Sequence, residues 1–301
     1  MNSFPSSTFF SAPPEWGWYI VLYFFFGGLA GGCYFIAALL DLFGRPEDRG
    51  LARLGYYIAL PCIIISAILL ILDLGRSLRF WHMLLQSNTY RIMFKPWSPM
   101  SVGSWSLLIF GIFSLLSFLG ALAEDGLLQK PGAKRLRPPG ALGSIIALVG
   151  ALCGFFVAGY TGVLLGVTNR PIWSDTSLLG MLFVVSAASI SAAVMILLAH
   201  KSDRSAASIN SLHRLDMWVV ALEFIVLIAV MISLGPVFRA WLSAWGALLL
   251  LGVIVMGMLI PWALYLRKEW LGKGNVTTAA ALVLVGGFIL RLVIVFSAQR
   301  V

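Results

Sequence analysis

Eight stretches of this chain, roughly residues 17–43, 51–73, 102–123, 141–166, 177–199, 213–234, 243–265 and 277–298, are apolar for long enough to cross about 30 Å of hydrocarbon as α-helices. The runs are continuous and lack the alternation of a membrane β-barrel, so helices 1 to 8 are the way to satisfy the backbone in lipid. Composition agrees: 60% of the residues are hydrophobic and 11% charged. There are 21 basic and 12 acidic residues, where a soluble protein of this length would have about 75 charges. A net charge of +9 would suggest a nucleic-acid partner in a soluble protein. Here the basic residues lie in short loops between apolar runs, so the sign reads as topology, lipid is the surrounding, and no nucleic-acid partner is expected.

An even number of spans places both termini on one side. The loops after helices 1, 3, 5 and 7 hold Arg45, Arg49, Arg53, Lys130, Lys134, Arg135, Arg137, Lys201, Arg204, Arg214, Arg267, Lys268 and Lys273. The opposite face holds Arg76, Arg79, Arg91, Lys95, Arg170, Arg239 and Arg300, and Arg291 lies inside helix 8. The thirteen-to-seven imbalance predicts termini outside the cytoplasm, which in a bacterial inner membrane is the periplasm. The first 16 residues contain no Lys or Arg. The apolar segment after them runs for about 27 residues, so a retained N-terminus is expected and not a cleaved signal peptide. Cys33, Cys62 and Cys153 each sit in an apolar run without a CxxC pair, so neither a disulfide framework nor an iron–sulfur cluster is encoded.

The long connection 74–101 lies on the external face and sets Arg76, Arg79, His82, Arg91 and Lys95 among Phe80, Trp81, Tyr90, Phe94 and Trp97. Such a loop is expected to be an ordered cap or docking surface, the plainer alternative being an interfacial aromatic belt. Leu74-Gly75-x-x-x-Arg79-x-Trp81 closes helix 2, and Leu234-Gly235-x-x-x-Arg239-x-Trp241 closes helix 6, all four matches offset by 160. The repeat suggests two four-helix bundles, residues 1–170 and 171–301.

In lipid an ionisable residue is costly unless paired or facing a cavity, so these residues carry the functional signal. One group gathers at the external ends of helices 1 to 4: Tyr19, Tyr23, Asp73, Arg76, His82, Ser101, Ser104, Tyr160, Thr161, Asn169 and Arg170. Up-and-down topology brings these ends together into one polar pocket. A carboxylate beside an arginine, with a histidine and tyrosines in reach, suits quinol oxidation or quinone reduction, where two protons accompany two electrons. The plain alternative is a structural Asp73–Arg76 pair one turn apart, with the tyrosines as interfacial anchors.

A second group lies in the other bundle. Asp216 and Glu223 share a face of helix 6, separated by about 10.5 Å along its axis. Arg291 of helix 8 is offset from Glu223 by about 6 Å, within reach of a snorkelling arginine. The plain expectation is a buried Glu223–Arg291 ion pair, and the sharper one is a proton route through Asp216 and Glu223. A di-haem cytochrome needs four histidines at facing depths, and the sequence has His82, His200 and His213, so a haem-free subunit is expected. The run Gly27-Gly28-Leu29-Ala30-Gly31-Gly32 reads as close helix packing.

Several motifs together carry a resemblance. They are Gly28-Leu29-Ala30-Gly31-Gly32, Asp73-Leu-Gly-Arg76-x-x-Arg79-Phe80-x-His82, Ser98-Pro99-Met100-Ser101-x-Gly103-Ser104-Trp105, Tyr160-Thr-Gly with Asn169-Arg170-Pro171-x-Trp173, and Arg291-x-Val293-Ile294-Val295-Phe296. In order and spacing they resemble the NrfD-like family, membrane subunits of polysulfide-reductase-type complexes, over nearly the whole chain. The resemblance implies an eight-helix subunit without haem that binds menaquinone or menaquinol near the external face. Electrons would pass to or from a docked four-cluster iron–sulfur subunit attached to a molybdopterin-type catalytic subunit, with Arg79, Arg91, Lys95 and Arg170 offered for docking. It places the head-group pocket on Tyr23, Asp73 and Tyr160. The sequence departs from the family pattern at Tyr23, where the polysulfide-reductase subunit has histidine, and at Asp73, which replaces glutamate. A passive membrane anchor and an ion or proton transporter are the competing readings.

Overall fold

The computed structural model describes residues 15–130, 132–200, 206–266 and 274–299, leaving aside the side chains of residues 200 and 206–210. Lys201, Arg204, Arg267, Lys268, Lys273 and Arg300 of the charge count, and the His200 side chain, therefore lie outside the described residues. Eight helices among those described are long and apolar enough to cross a membrane. They are α1 (Trp18–Phe43), α2 (Arg49–Asp73), α3 (Pro99–Glu124), α4 (Ala141–Gly166), α5 (Leu179–His200), α6 (Ala206–Ser233), α7 (Ala244–Leu266) and α8 (Asn275–Ser297). Among the described residues there is no strand, only an isolated antiparallel bridge between Leu85 and Ile92.

Helix limits follow local chemistry more than hydropathy. α3 starts three residues before its apolar run because Ser98 caps it, accepting from the Ser101 amide at 3.4 Å, and Pro99 occupies the first turn. α6 begins at Ala206, a polar turn before the apolar stretch. α2 and α6 stop at the two copies of the repeated Leu-Gly motif. Gly75 and Gly235 adopt φ of +67° and +53°, a conformation costly for any residue with a Cβ, and each leads into a 3₁₀ segment, Ser77–Met83 and Gly235–Trp241. The sequence repeat is thus also a repeat of backbone shape.

One unanticipated irregularity is the π-helical stretch Leu249–Leu259 inside α7. It ends just before Pro261, whose ring cannot fit the normal i−4 carbonyl spacing.

α1 is the central helix, packed on α2, α4, α5 and α8. Its glycine run does what packing requires: at Gly31 an added Cβ would strike the backbone of Gly154 on α4. One apolar core cluster reaches all eight helices, and a small separate one joins Leu264 and Tyr265 of α7 to Ala279 of α8. At one end of the molecule Trp173 is buried, donates from its indole to the Ile294 carbonyl at 2.7 Å and stacks on Trp16 at 5.0 Å. This clasp ties the entry of α1, the exit of α4 and the exit of α8 together.

Candidate functional site

Beside that clasp, a cavity of about 470 Å³ lies between the start of α1, the end of α2, the start of α3 and the end of α4. Its walls are overwhelmingly apolar, and the 3₁₀ segment after α2 closes it with Phe80, Met83 and Leu84. Four polar side chains line it: Tyr23, Asp73, Ser104 and Tyr160. Ile64 of α2 and Leu108, Ile112 and Leu115 of α3 belong both to its lining and to the outer apolar surface. The cavity therefore opens sideways between α2 and α3, and also at the helix ends, where Leu74, Phe80 and Met100 are both lining and exposed.

Each polar residue is held differently. Tyr160 is 6% exposed, and its hydroxyl donates to the Pro99 carbonyl at 2.7 Å. Gly103 leaves room for its ring, since a Cβ there would collide with the phenol. Phe156 stacks on the ring at 5.9 Å. Tyr23 is 1% exposed and lies near enough to Tyr160 for the two phenols to interact electrostatically, yet its hydroxyl makes no hydrogen bond among the described residues. Ser104 spends its proton on its own helix, on the Met100 and Ser101 carbonyls at 3.0 Å. Asp73 is exposed at the last turn of α2.

Seven other residues expected in the pocket stand outside its lining: Tyr19, Arg76, His82, Ser101, Thr161, Asn169 and Arg170. Asp73 and Arg76 form no ion pair within 4.0 Å, which corrects the structural pair considered from the sequence. The reason is local. The i, i+3 relation holds only inside a helix; α2 ends at Asp73, Gly75 turns the backbone, and Arg76 takes φ −126°, ψ 68°. His82 packs edge-on against Trp81 at 4.0 Å, and Asn169 is exposed in the turn after α4.

The connection 74–101 is ordered. Met93 donates its amide to the Leu84 carbonyl at 2.8 Å and Gln86 to Arg91 at 2.9 Å, closing a small loop. The Trp105 indole of α3 holds that loop down through the Met93 carbonyl at 3.0 Å, and the Lys95 amide donates to Ser101 Oγ at 3.0 Å. Arg79, Arg91 and Lys95 are exposed on this cap beside Tyr90, Phe94 and Trp97, whereas Arg170 is half-buried.

A family model described as "Polysulphide reductase, NrfD" matches residues 6–301. The chain belongs to the NrfD family. It is 28% identical to one of the polysulfide reductase chains of Wolinella succinogenes over 94% of both proteins. It is 25% identical to protein NrfD of Escherichia coli over 94% of its own length and 95% of the relative's. A shorter match, 28% over 34% of its length and 22% of the relative's, is to a selenate reductase subunit of Mesobacillus selenatarsenatis.

The second polar group of this NrfD-family member is buried and assembled around α5. Asp216 is fully buried, accepts from the Tyr265 hydroxyl of α7, and faces Ser189 Oγ at 3.5 Å. His213 packs its ring against Tyr265 at 4.3 Å. Glu223 has Ser186 and Ser189 as neighbours, with Arg291 beyond. Arg291 is fully buried and donates to Phe24 O at 3.1 Å, Ser186 Oγ at 3.0 Å and Gly287 O at 2.7 Å. No direct Glu223–Arg291 ion pair within 4.0 Å forms among the described residues; Arg291 donates instead to Ser186 Oγ, a neighbour of Glu223. The axial offset was bridgeable, but Arg291 turns towards carbonyls on α1 and its own helix. Ser186, Ser189 and Tyr265 were missed in the sequence because hydroxyls inside apolar runs look like ordinary helix-packing residues.

Proposed function

We propose that this protein is the haem-free, quinone-reactive membrane subunit of a multi-subunit respiratory oxidoreductase. In this reading it sits in a bacterial inner membrane with both termini periplasmic, and residues 1–170 and 171–301 are its two four-helix bundles. Electrons move between menaquinol or menaquinone in the cavity and a four-cluster iron–sulfur subunit docked on the cap at Arg79, Arg91 and Lys95, with Arg170 at its edge. A molybdopterin-type catalytic subunit lies beyond. The names of relatives in polysulfide and selenate reductases support membership of such a complex.

One observation carries the quinone reading: an apolar cavity open to the bilayer side between α2 and α3, with four polar side chains in its lining. An isoprenoid tail needs the first feature and a head group the second. Because Tyr160 already donates its proton to Pro99, its free lone pairs suit it to accept from a quinol O–H. The Tyr23 hydroxyl can donate or accept, and Asp73 is the carboxylate of the lining that can take a proton. Arg76, His82 and Asn169, outside the lining, act on the head group only through it.

Proton translocation is the second part of the proposal. Asp216, Glu223 and Arg291, joined by Ser189 and Ser186, form a buried polar line through the second bundle that ends on the carbonyl of Phe24, next to Tyr23. If Glu223→Gln leaves proton movement unchanged in reconstituted vesicles, that line carries none.

The deciding experiment is a fluorescence-quench titration of the detergent-solubilised protein with a hydroxyquinoline N-oxide inhibitor, comparing wild type with Tyr160→Phe. Saturable binding that weakens by about tenfold in the variant is expected. Absence of binding by the wild type would leave the protein a passive anchor.

A further inference from the structure

A glycine inside a helix is unfavourable relative to alanine, so each one in a membrane span calls for a reason, usually a neighbour too close for a Cβ. This chain supplies that reason almost everywhere. An added Cβ would strike Gly154 at Gly31, Ser191 at Gly32, Arg137 and Pro138 at Gly143, Tyr34 at Gly150 and Gly286 at Gly257. Among the described residues, Gly111 is the one glycine within a membrane-spanning helix at which a Cβ would meet no protein atom within 4 Å.

Gly111 stands midway along α3, and the space beside it belongs to the cavity. The α3 wall of that cavity runs from Met100 to Leu115, about 22 Å along the helix axis. Leu107, Leu108, Gly111, Ile112 and Leu115 recur at spacings of three and four residues, so Gly111 lies in the middle of the stripe that faces the cavity.

The two ends of the cavity differ in chemistry. Tyr23, Asp73, Ser104 and Tyr160 gather at the capped end, where the Tyr160 hydroxyl meets Pro99. Around Gly111 the walls offer only hydrocarbon, from Ile63, Ile64 and Ala67 of α2 and Ile112 and Leu115 of α3. Ile64, Ile112 and Leu115 are also exposed on the outer face, so this apolar end reaches lipid. Open space at a mid-membrane glycine, continuous with an apolar slot, fits a slender hydrocarbon chain lying directly on the α3 backbone.

We infer that the first isoprene units of the quinol tail lie against Gly111, and that this glycine makes the protein selective for quinols that carry a prenyl tail. The inference rests on the quinone reading of the cavity. The polar end recognises the head group, and any side chain at 111 takes the volume that the tail occupies.

The test is quinol-driven turnover of the full complex in liposomes with two substrates of one head group: menadiol, which has no tail, and a menaquinol with several isoprene units. Gly111→Leu is expected to raise KM for the long-tailed quinol by about tenfold or more, the usual penalty for a misfit of one methylene in an apolar pocket. KM and kcat for menadiol are expected to stay at wild-type values. Gly111→Ala is expected to fold at least as well as wild type, because alanine is the better helix former and nothing stands in its way. It should show a smaller rise in the same direction, and it decides alone if the leucine variant does not assemble. An unchanged KM for the long-tailed quinol would overturn the tail seat, the space then being filled by an acyl chain of the bilayer. An equal rise for both quinols would overturn it too, since the glycine would then serve the head-group pocket. Failure of the wild type to turn over either quinol or to bind inhibitor would instead overturn the quinone reading.

Discussion

The hydroxyl of Tyr160, near the end of α4, donates to the carbonyl of Pro99 in the first turn of α3. A single hydrogen bond of 2.7 Å thus sets the phenol at the cavity wall and ties two helices at the same depth. It also makes Tyr160 and Tyr23 unlike each other, although both are buried tyrosines of one cavity.

That difference is measurable. Tyr160→Phe removes the donor to a half-buried carbonyl and is expected to cost about 1 kcal/mol of stability. Tyr23→Phe removes a hydroxyl with no partner among the described residues and is expected to stay within about 0.5 kcal/mol of wild type. Thermal unfolding of the two variants in detergent, side by side, checks the order; equal losses would contradict the assignment of hydrogen bonds.

Gly103 is where the Tyr160 ring fits. Gly103→Ala is expected to push the ring off its partner, with a loss of about 1–3 kcal/mol from overpacking, and to weaken inhibitor binding with it. An alanine variant with unchanged unfolding and unchanged titration would show that the ring has room to move.

Arg137 pairs with Asp41 of α1 and Glu124 of α3. Arg137→Ala leaves a buried carboxylate without a partner and is expected to destabilise by about 3–5 kcal/mol. Arg53→Ala breaks a half-exposed pair with Asp125 and is expected to cost no more than about 1 kcal/mol. Yield of folded, monodisperse protein and its unfolding temperature separate the two; similar behaviour would mean that the buried pair is not a structural anchor.

The two repeated Leu-Gly stops give a paired test. Gly75→Ala and Gly235→Ala each force a Cβ into a left-handed conformation, at about 1–2 kcal/mol. Neither site is crowded, so backbone strain alone should account for the loss. A variant as stable as wild type at either position would show that the turn relaxes.

The spans were legible because the thickness of the bilayer dictates the length of an apolar run, and local features such as the Ser98 cap and the polar first turns of α6 moved their limits. The cavity was legible as a convergence of helix ends, which found Tyr23, Asp73, Ser104 and Tyr160. The same logic over-reached at Arg76, His82 and Asn169, because beyond the last helical turn a residue's direction is set by local backbone geometry. Asp41 and Arg137 escaped notice for another reason. They stand 96 residues apart, and Arg137 reads as one more loop charge until folding buries it.

The sideways opening between α2 and α3 changes how ligand must be counted. A molecule entering there comes from the lipid, so the concentration that matters is its mole fraction in the membrane. Apparent affinities quoted per litre of buffer will drift as detergent or lipid is added, and measurements on this protein become comparable only when expressed per amount of lipid.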